Sequence, residues 1–215
     1  MPNCVAAKMD VAVIVAHPDD EVLWAGGTML LHPEWRCHVA ALCRAGDPDR
    51  APKFHRAVAR LGASGSIADL DDCPEQHPLP EAEIHSAIAS LLPEQSFDLI
   101  LTHSPFGEYT RHLRHEETAR AVAAAWRTGA LQTSALWMFA YEDGERAHFP
   151  RAIRDAHKTM RLPDATWREK YALITDVYGF APEGWEAQTT PEVEAFWCFQ
   201  CPGDLDAWLV QRNTP

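Results

Sequence analysis

The run Val11-Ala-Val-Ile-Val-Ala16, followed at once by His17-Pro-Asp-Asp-Glu21, decides the fold prediction for this chain. An apolar run rich in β-branched residues predicts a strand that is buried on both faces, as in a parallel sheet. The strand ends at Pro18, and we expect a helix to start around Gly26 after an acidic turn. Ligands of open α/β sheets bind beyond the carboxyl ends of the strands. The polar residues that follow this strand are therefore candidates for a functional site.

Further along the chain, apolar runs alternate with amphipathic segments. Strands are predicted at 38–43, 67–70, 98–102 and 135–141, and helices at 52–61, 81–92 and 116–126. This alternation predicts an α/β fold, with a Rossmann-like, mostly parallel sheet and helices on both faces in a three-layer α/β/α arrangement. We expect a single domain over residues 1–215. Its core would span 10–141, and a C-terminal elaboration over 142–215 would hold a helix at 167–177, a strand at 195–200 and a last helix at 205–210.

Composition excludes several classes of partner. The chain has 215 residues, with 19 basic and 31 acidic side chains and a formal net charge of −12. This charge argues against nucleic acid or an anionic membrane as the main partner. No apolar stretch is long enough to span a membrane, and the first ten residues lack the apolar segment of a secretory signal. We therefore expect a cytoplasmic protein without membrane insertion, and a homo-oligomer is compatible with this composition.

Two segments carry residues that bind metals. The first is 17–21, directly after the first strand, and the second is 103–115, directly after the strand at 98–102. A hydrolytic zinc site needs three protein ligands with one position open, and two histidines with a carboxylate satisfy this need. A further carboxylate must accept the proton of water, so Asp19 and Asp20 can divide the two tasks. The alternative is a polar turn whose aspartates cap a helix.

These two segments resemble a known family. AHPDDE at 16–21, the GG pair at 26–27 and the pattern T-H-x-P-x-G-E-Y-x-x-H-x-x-H at 102–115 are similar to the LmbE-like (PIG-L) deacetylases. That family includes zinc-dependent de-N-acetylases that act on N-acetylglucosaminyl conjugates. The resemblance covers roughly residues 10–130 and continues only weakly beyond them. It implies a small-molecule substrate, an N-acylated sugar conjugate.

The resemblance also implies roles for particular residues. His17, Asp20 and His115 would bind Zn²⁺, although Fe²⁺ or another divalent metal also suits this ligand set. Asp19 would be the general base that deprotonates the attacking water. His112 would stabilise the oxyanion of the tetrahedral intermediate, preferably as an imidazolium.

Other positions concern the substrate. Tyr109 matches a family tyrosine that reaches the substrate carbonyl or the leaving amine, and Arg50 matches an arginine that contacts sugar hydroxyls. Lys53 stands where the family usually has a glutamate. From its place at a strand end, His103 is expected either to support a ligand or to line the substrate pocket. Asp72 is a candidate for binding sugar hydroxyls, the alternative being a solvated turn.

The sequence thus predicts a metal-dependent hydrolase that removes an acetyl group from an N-acetyl amino sugar or its conjugate. Deacylation of a non-sugar amide is the nearest alternative. A two-histidine, one-carboxylate Fe(II) oxygenase and a catalytically silent binding module are further alternatives. The Gly26-Gly27 pair lacks the GxGxxG pattern of a dinucleotide site. It indicates either close packing of a helix or close approach of a substrate.

Overall fold

The computed structural model describes residues 8–109 and 112–212. The strands in these ranges are β1 (Asp10–Val15), β2 (Arg36–Cys43), β3 (Ser64–Leu70), β4 (Ser96–Phe97), β5 (Leu99–Thr102), β6 (Gln132–Thr133), β7 (Leu136–Phe139), β8 (Tyr141–Glu142), β9 (Arg151–Ala152), β10 (Lys158–Arg161) and β11 (Val193–Phe199). The helices are α1 (Asp20–Leu31), α2 (Arg50–Arg60), α3 (Glu81–Leu91), α4 (Leu113–Thr128), α5 (Asp164–Ala172), α6 (Trp185–Thr189) and α7 (Pro202–Arg212). A π-helical turn, Leu173–Val177, continues α5. None of the described helices is both long and apolar enough to cross a membrane.

Seven strands form one central sheet in the order β10-β11-β7-β5-β1-β2-β3. The five strands from β7 to β3 run parallel, whereas β11 is antiparallel to β7 and β10 is antiparallel to β11. The predicted mostly parallel sheet of a single α/β domain is therefore confirmed. The segment after residue 141 contributes β10 and β11, so it extends the same sheet as the predicted core.

Helices cover both faces of this sheet, and the alternation of side chains along β1 explains why. Val11, Val13 and Val15 pack into the hydrophobic cluster that includes residues of α1 and α2. Ala12 and Ile14 point to the opposite face and pack into the cluster built with α3, α4 and α7. Successive side chains of a strand point to opposite faces, so a fully apolar strand needs a covering layer on each side. The predicted three-layer arrangement is confirmed.

Helix α1 begins at Asp20, six residues before the start that the sequence predicts. Acidic residues stabilise the first turn of a helix, which allows the helix to begin inside the acidic motif. Both glycines therefore lie inside the helix, and Gly27 is needed there because the helix packs closely against its neighbours. A Cβ atom at Gly27 would lie 2.4 Å from Leu162 Cδ1 and 2.9 Å from Glu194 Oε1. Of the two sequence interpretations of the glycine pair, the structure therefore favours close packing.

Candidate metal centre and active site

A cavity of about 350 Å³ opens at the carboxyl ends of the parallel strands. Strand β1 leads into 17–20, β2 into Arg44, β3 into Asp72 and β5 into 103–109. Because these four strands are parallel and adjacent, their carboxyl ends meet at one edge of the sheet. The structure thus brings together the two histidine-containing segments that the sequence singled out.

Three candidate ligand atoms, one each from His17, Asp20 and His115, lie close together beside this cavity, which His17 and Asp20 line. His17 Nδ1 is 3.2 Å from Asp20 Oδ2 and 3.2 Å from His115 Nε2. The distance from His115 Nε2 to Asp20 Oδ2 is 3.4 Å. These are the three residues that the family resemblance implies as metal ligands.

This spacing fits a divalent metal ion. Zinc bonds to nitrogen and oxygen are about 2.0–2.2 Å long, so two ligand atoms of a tetrahedral site lie roughly 3.3–3.6 Å apart. The three observed distances of 3.2–3.4 Å agree with this geometry. Two imidazole lone pairs and a carboxylate oxygen also repel one another unless a cation or a proton lies among them. The donor set therefore fits a metal ion on both geometry and charge.

Glu108 fixes the ring of His115. Its Oε2 lies 2.7 Å from His115 Nδ1 and 3.0 Å from His103 Nδ1, and all three side chains are fully buried. A carboxylate that accepts the proton of Nδ1 leaves Nε2 of His115 free for a metal ion. The His103 and His115 imidazoles hold the pKa of Glu108 at about 2, although burial alone would raise it. Glu108 was not among the predicted site residues, although its position in the GEY pattern at 107–109 could have indicated a role in the site.

His103 does not line the cavity, so the structure does not support its predicted contact with substrate. Its side chain is completely buried, and its Nε2 accepts the backbone N–H of Ala16 at 3.0 Å. Nε2 also lies 3.4 Å from Asp20 Oδ2. His103 therefore supports the site from behind, which is the other role expected from its place at a strand end.

Asp72 lines the cavity, so its side chain does not belong to a solvated turn. Its Oδ1 lies 3.2 Å from His17 Nε2, and its Oδ2 accepts two hydrogen bonds from Arg44. Burial would raise the pKa of Asp72, but His17 and Arg44 lower it to about 2. The neighbouring Asp71 is exposed, and its Oδ2 lies 3.7 Å from Arg114 Nη2. Asp72 is thus an anion that faces the outer nitrogen of a candidate ligand.

Asp19 and Asp20 have opposite environments. Burial and the adjacent charge of Asp20 raise the pKa of Asp19 to about 7, against the lowering effect of Arg50. Burial also acts to raise the pKa of Asp20, but His115 and His103 hold it well below its ordinary value. When two carboxylates have their pKa values pushed apart, they suit different chemical tasks. This is the division of tasks that the sequence suggests for the pair.

The backbone of Asp19 is strained. Its φ of 109° lies in the left-handed region, which is uncommon for residues other than glycine. Its N–H donates to Glu21 Oε2 at 3.0 Å, and the other oxygen of Glu21 accepts the Tyr178 hydroxyl at 2.6 Å. Burial raises the pKa of Glu21 to about 8. Glu21 and Tyr178 therefore hold the turn that directs Asp19 into the cavity.

Arg50 reaches Asp19 rather than open solvent. Its Nη1 donates to Asp19 Oδ2 at 2.9 Å, and its guanidinium lies 4.4 Å from the centre of the Phe180 ring. The side chain lines the cavity, as expected for a substrate contact, but one of its donors is engaged by the candidate base. Lys53 pairs with Asp49 at 2.6 Å and is not among the residues that line the cavity.

His112 stands at the N-terminus of α4 and lines the cavity. Its ring centre is 4.6 Å from that of His17 and 4.6 Å from that of His115. Burial, together with these two imidazoles, lowers the pKa of His112 to about 3. These surroundings favour a neutral ring, whereas the family resemblance suggested an imidazolium at this position. Gln76 Nε2 lies 3.1 Å from His112 Nε2, a contact that the sequence did not reveal.

Tyr109 forms one wall of the cavity. Its ring lies 4.7 Å from that of Trp185 and 6.3 Å from that of Trp24, measured between centres. Burial and the nearby carboxylates raise the pKa of Tyr109, so its hydroxyl keeps its proton at neutral pH. The hydroxyl can therefore act as a hydrogen-bond donor in the site.

A buried arginine attaches the loop that carries Asp72 to helix α4. Arg114 donates through Nε to the carbonyl of Asp71 at 2.5 Å and through Nη2 to the carbonyl of His77 at 2.8 Å. Its Nη1 pairs with Glu117, whose other oxygen accepts the N–H of Leu79 at 3.0 Å. These contacts fix both ends of the loop that follows β3.

Comparison with known proteins places the chain in a family. Residues 12–126 match the model of the PIG-L family, described as GlcNAc-PI de-N-acetylase. A curated relative, the uncharacterized protein L374 of Acanthamoeba polyphaga mimivirus, is 23% identical over 127 residues. The match covers 53% of this chain and 56% of that protein, so the chain spans little more than half the length of this relative.

Two solved structures share the fold. An N,N'-diacetylchitobiose deacetylase from Pyrococcus horikoshii aligns with a TM-score of 0.64 and 16% identity, over 89% of this chain and 84% of that chain. GalB, a 4-carboxy-2-hydroxymuconate hydratase from Pseudomonas putida, aligns with a TM-score of 0.59 and 17% identity, over 89% and 96% of the two chains. The same fold therefore holds a deacetylase and a hydratase, so the chemistry must be argued from the site residues.

Proposed function

The chain belongs to the PIG-L (GlcNAc-PI de-N-acetylase) family, and on this basis we propose that it is a metal-dependent hydrolase that removes an acetyl group from an N-acetylated amino sugar conjugate. The observation that carries the proposal is the arrangement of Asp19 and Asp20. One carboxylate faces the candidate ligand histidines, and the adjacent one points into the cavity beside them. Hydrolysis needs this combination of a metal ligand and a separate base.

His17, Asp20 and His115 would hold the metal ion, with Zn²⁺ as the first candidate. A divalent cation at this place would polarise the amide carbonyl and activate a water molecule. Glu108 would orient His115 through its hydrogen bond to the outer nitrogen Nδ1, and Asp72 places a negative charge 3.2 Å from the outer nitrogen of His17. Carboxylates in this outer position are common at metal-binding histidines, because they fix the tautomer and make the ring a stronger donor.

Asp19 would accept the proton of the water that attacks the amide carbon. When the C–N bond breaks, Asp19 would return this proton to the departing nitrogen, so that acetate and a free amine leave. Its Oδ2 is held by Arg50, which keeps the carboxylate directed at the cavity. The strained turn at Asp19 is consistent with this task, since backbone strain of this kind is concentrated at functional sites.

His112 and Tyr109 would stabilise the oxygen of the tetrahedral intermediate as donors. A neutral imidazole donates one N–H, and a protonated phenol donates its O–H. Donors placed at a developing oxyanion contribute about 3–4 kcal/mol each in other enzymes. Arg50 and Asp72 are the cavity residues proposed to contact sugar hydroxyls, through the hydrogen-bonding capacity that their partners leave free.

Acetate release is the direct test. Purified protein with one equivalent of Zn²⁺ is incubated with N-acetylglucosamine conjugates, and acetate and free amine are quantified. We expect Asp19→Asn to keep its metal but lose most activity, and His17→Ala to lose the metal itself. Equal rates for Asp19→Asn and wild type would refute the assignment of the base. Hydration of an unsaturated acid, or turnover that depends on O₂ and a 2-oxo acid, would refute the deacetylase.

A further inference from the structure

A second cavity, of about 810 Å³, lies next to the candidate active site. Tyr109 and Trp185 line both cavities, so they form the wall that the two spaces share. The ring centres of these two residues are 4.7 Å apart, and Trp185 opens the short helix α6. The second cavity therefore begins at the same two rings that border a substrate bound at the candidate metal ligands.

The second cavity has an apolar surface that remains exposed to solvent. Phe149 is 46% exposed and Trp185 is 38% exposed, and both line this cavity. They are two of the four large apolar side chains that are exposed within the described residues. Exposed apolar residues that lie together beside a cavity are typical of ligand-binding grooves.

The same cavity also carries more positive than negative charge, since two arginines and one acidic residue, Asp143, line it. Arg146 and Arg151 line it, and no described residue forms an ion pair or a side-chain hydrogen bond with either of them. This contrasts with the formal net charge of −12 and with Arg44 and Arg50 in the first cavity, which are each paired with an aspartate. Two free guanidinium groups beside aromatic rings suit an anionic group on an apolar body.

We propose that Trp185, Phe149, Arg146 and Arg151 form a subsite for the group that is attached to the amino sugar. This group combines an aromatic or other apolar body with a carboxylate or a phosphate. The inference rests on the proposed deacetylase function and names the part of the substrate that the first cavity does not hold. An acetyl group is too small to extend past Tyr109 and Trp185, so the occupant is the aglycone and not the acyl group.

Three β-glycosides of N-acetylglucosamine test the subsite, with methyl, phenyl and 4-carboxyphenyl aglycones. We expect kcat/KM to rise at least tenfold from methyl to phenyl and further with the carboxylate. Phe149→Ala and Trp185→Ala should bring the phenyl-to-methyl ratio close to one. The double variant Arg146→Gln/Arg151→Gln should remove only the increment due to the carboxylate. Repeating the series with the 4-phosphophenyl glycoside distinguishes a phosphate from a carboxylate as the anionic group.

Phe106→Ala is the matched control, because Phe106 is an aromatic side chain with 42% exposure that does not line the second cavity. It should keep the wild-type ratios. Equal kcat/KM for the three glycosides in the wild type would overturn the proposal. A loss of kcat/KM in the variants that is the same for all three glycosides would also overturn it. So would a loss of kcat/KM that appears only with N-decanoylglucosamine, because that result would place the acyl chain in the cavity.

Binding separates failure of the subsite from failure of the proposed function. Calorimetric titration of the Zn²⁺-loaded protein with 4-carboxyphenyl β-glucosaminide, the free amine, requires no turnover. If no glycoside releases acetate, a Kd that weakens at least tenfold in Trp185→Ala and in the double arginine variant still supports the subsite. A Kd that none of the variants changes would refute it.

Discussion

Asp72 Oδ1 lies 3.2 Å from His17 Nε2, so the carboxylate after β3 faces the outer nitrogen of a candidate metal ligand that follows β1. The other oxygen of Asp72 is held by Arg44. The adjacent parallel strands β1, β2 and β3 thereby contribute an imidazole, a cation and an anion, respectively. We therefore propose that Asp72 supports metal binding by His17, besides its proposed contact with substrate.

Asp72→Asn should weaken metal binding. Carboxylate partners of ligand histidines typically contribute 10- to 100-fold to metal affinity, so we expect a Zn²⁺ Kd that is higher by that factor. Competition with a chromophoric chelator measures the Kd without any assay of activity. Asp164→Asn is the charge-matched control, since Asp164 is exposed and does not line the cavity. Equal Kd values for the two variants would show that Asp72 does not support His17.

The two adjacent glycines of α1 should respond differently to the same substitution. A methyl group at Gly27 would lie 2.4 Å from Leu162 Cδ1, so Gly27→Ala should lower the free energy of unfolding by about 1–3 kcal/mol. At Gly26 the nearest atom to an added Cβ, Val22 Cγ1, is 3.4 Å away. Gly26→Ala should therefore raise stability by up to about 1 kcal/mol through helix propensity. Urea unfolding of both variants measures the difference, and equal effects would contradict this account of α1.

The sequence predicted that the two histidine-containing segments meet because its main signal is local. Apolar runs locate β1 and β5, and in a parallel sheet the residues that follow adjacent strands must meet at one edge. His17 and His115 therefore come together although 98 positions separate them in sequence. The family pattern added the roles of the individual residues, which spacing alone left open.

The remaining features depend on packing that no short pattern encodes. The sequence places His103 at a strand end but does not show which other side chains cover it. The structure shows that it is fully buried and does not line the cavity. Gln76 reaches His112 from a loop 36 residues away. Burial and two neighbouring imidazoles lower the pKa of His112, which favours a neutral ring over the expected imidazolium. Each of these outcomes follows from three-dimensional neighbours.

His38 should make stability depend on pH. Burial lowers its pKa below the ordinary 6.5, against the raising effect of its hydrogen bond to the Leu91 carbonyl. The unfolded chain then binds a proton more readily than the folded one, so stability present above pH 6.5 is lost as the pH falls through the folded-state pKa. His38→Gln cannot titrate and can keep the donor to Leu91.

The measurement is the free energy of unfolding of wild type minus that of His38→Gln at a series of pH values. Taking the difference cancels the titration of groups that both proteins share. We expect this difference to decrease from pH 7.5 to pH 5. A difference that stays constant or grows toward acid would contradict a lowered pKa, which NMR titration of the His38 ring reports directly.

Arg114 should control the order of the loop that carries Asp72 without touching the cavity. Its guanidinium binds the carbonyls of Asp71 and His77 and is only 2% exposed. Arg114→Lys keeps the charge beside Glu117 but cannot reach both carbonyls, because an ammonium lacks the planar fork of the guanidinium. We expect faster amide hydrogen exchange at 71–79 and a Zn²⁺ Kd raised up to tenfold.

Helix α4 provides the internal reference for this experiment, since Arg114 lies in its first turn. If the loop alone loosens, exchange at 118–126 stays at the wild-type rate while exchange at 71–79 rises. Faster exchange in both segments would mean that Arg114 stabilises the whole domain, and unchanged exchange at 71–79 would mean that the loop does not depend on it. Because Asp72 lies in this loop and contacts Arg44 and His17 from it, loss of loop order and loss of metal affinity should occur in the same variant.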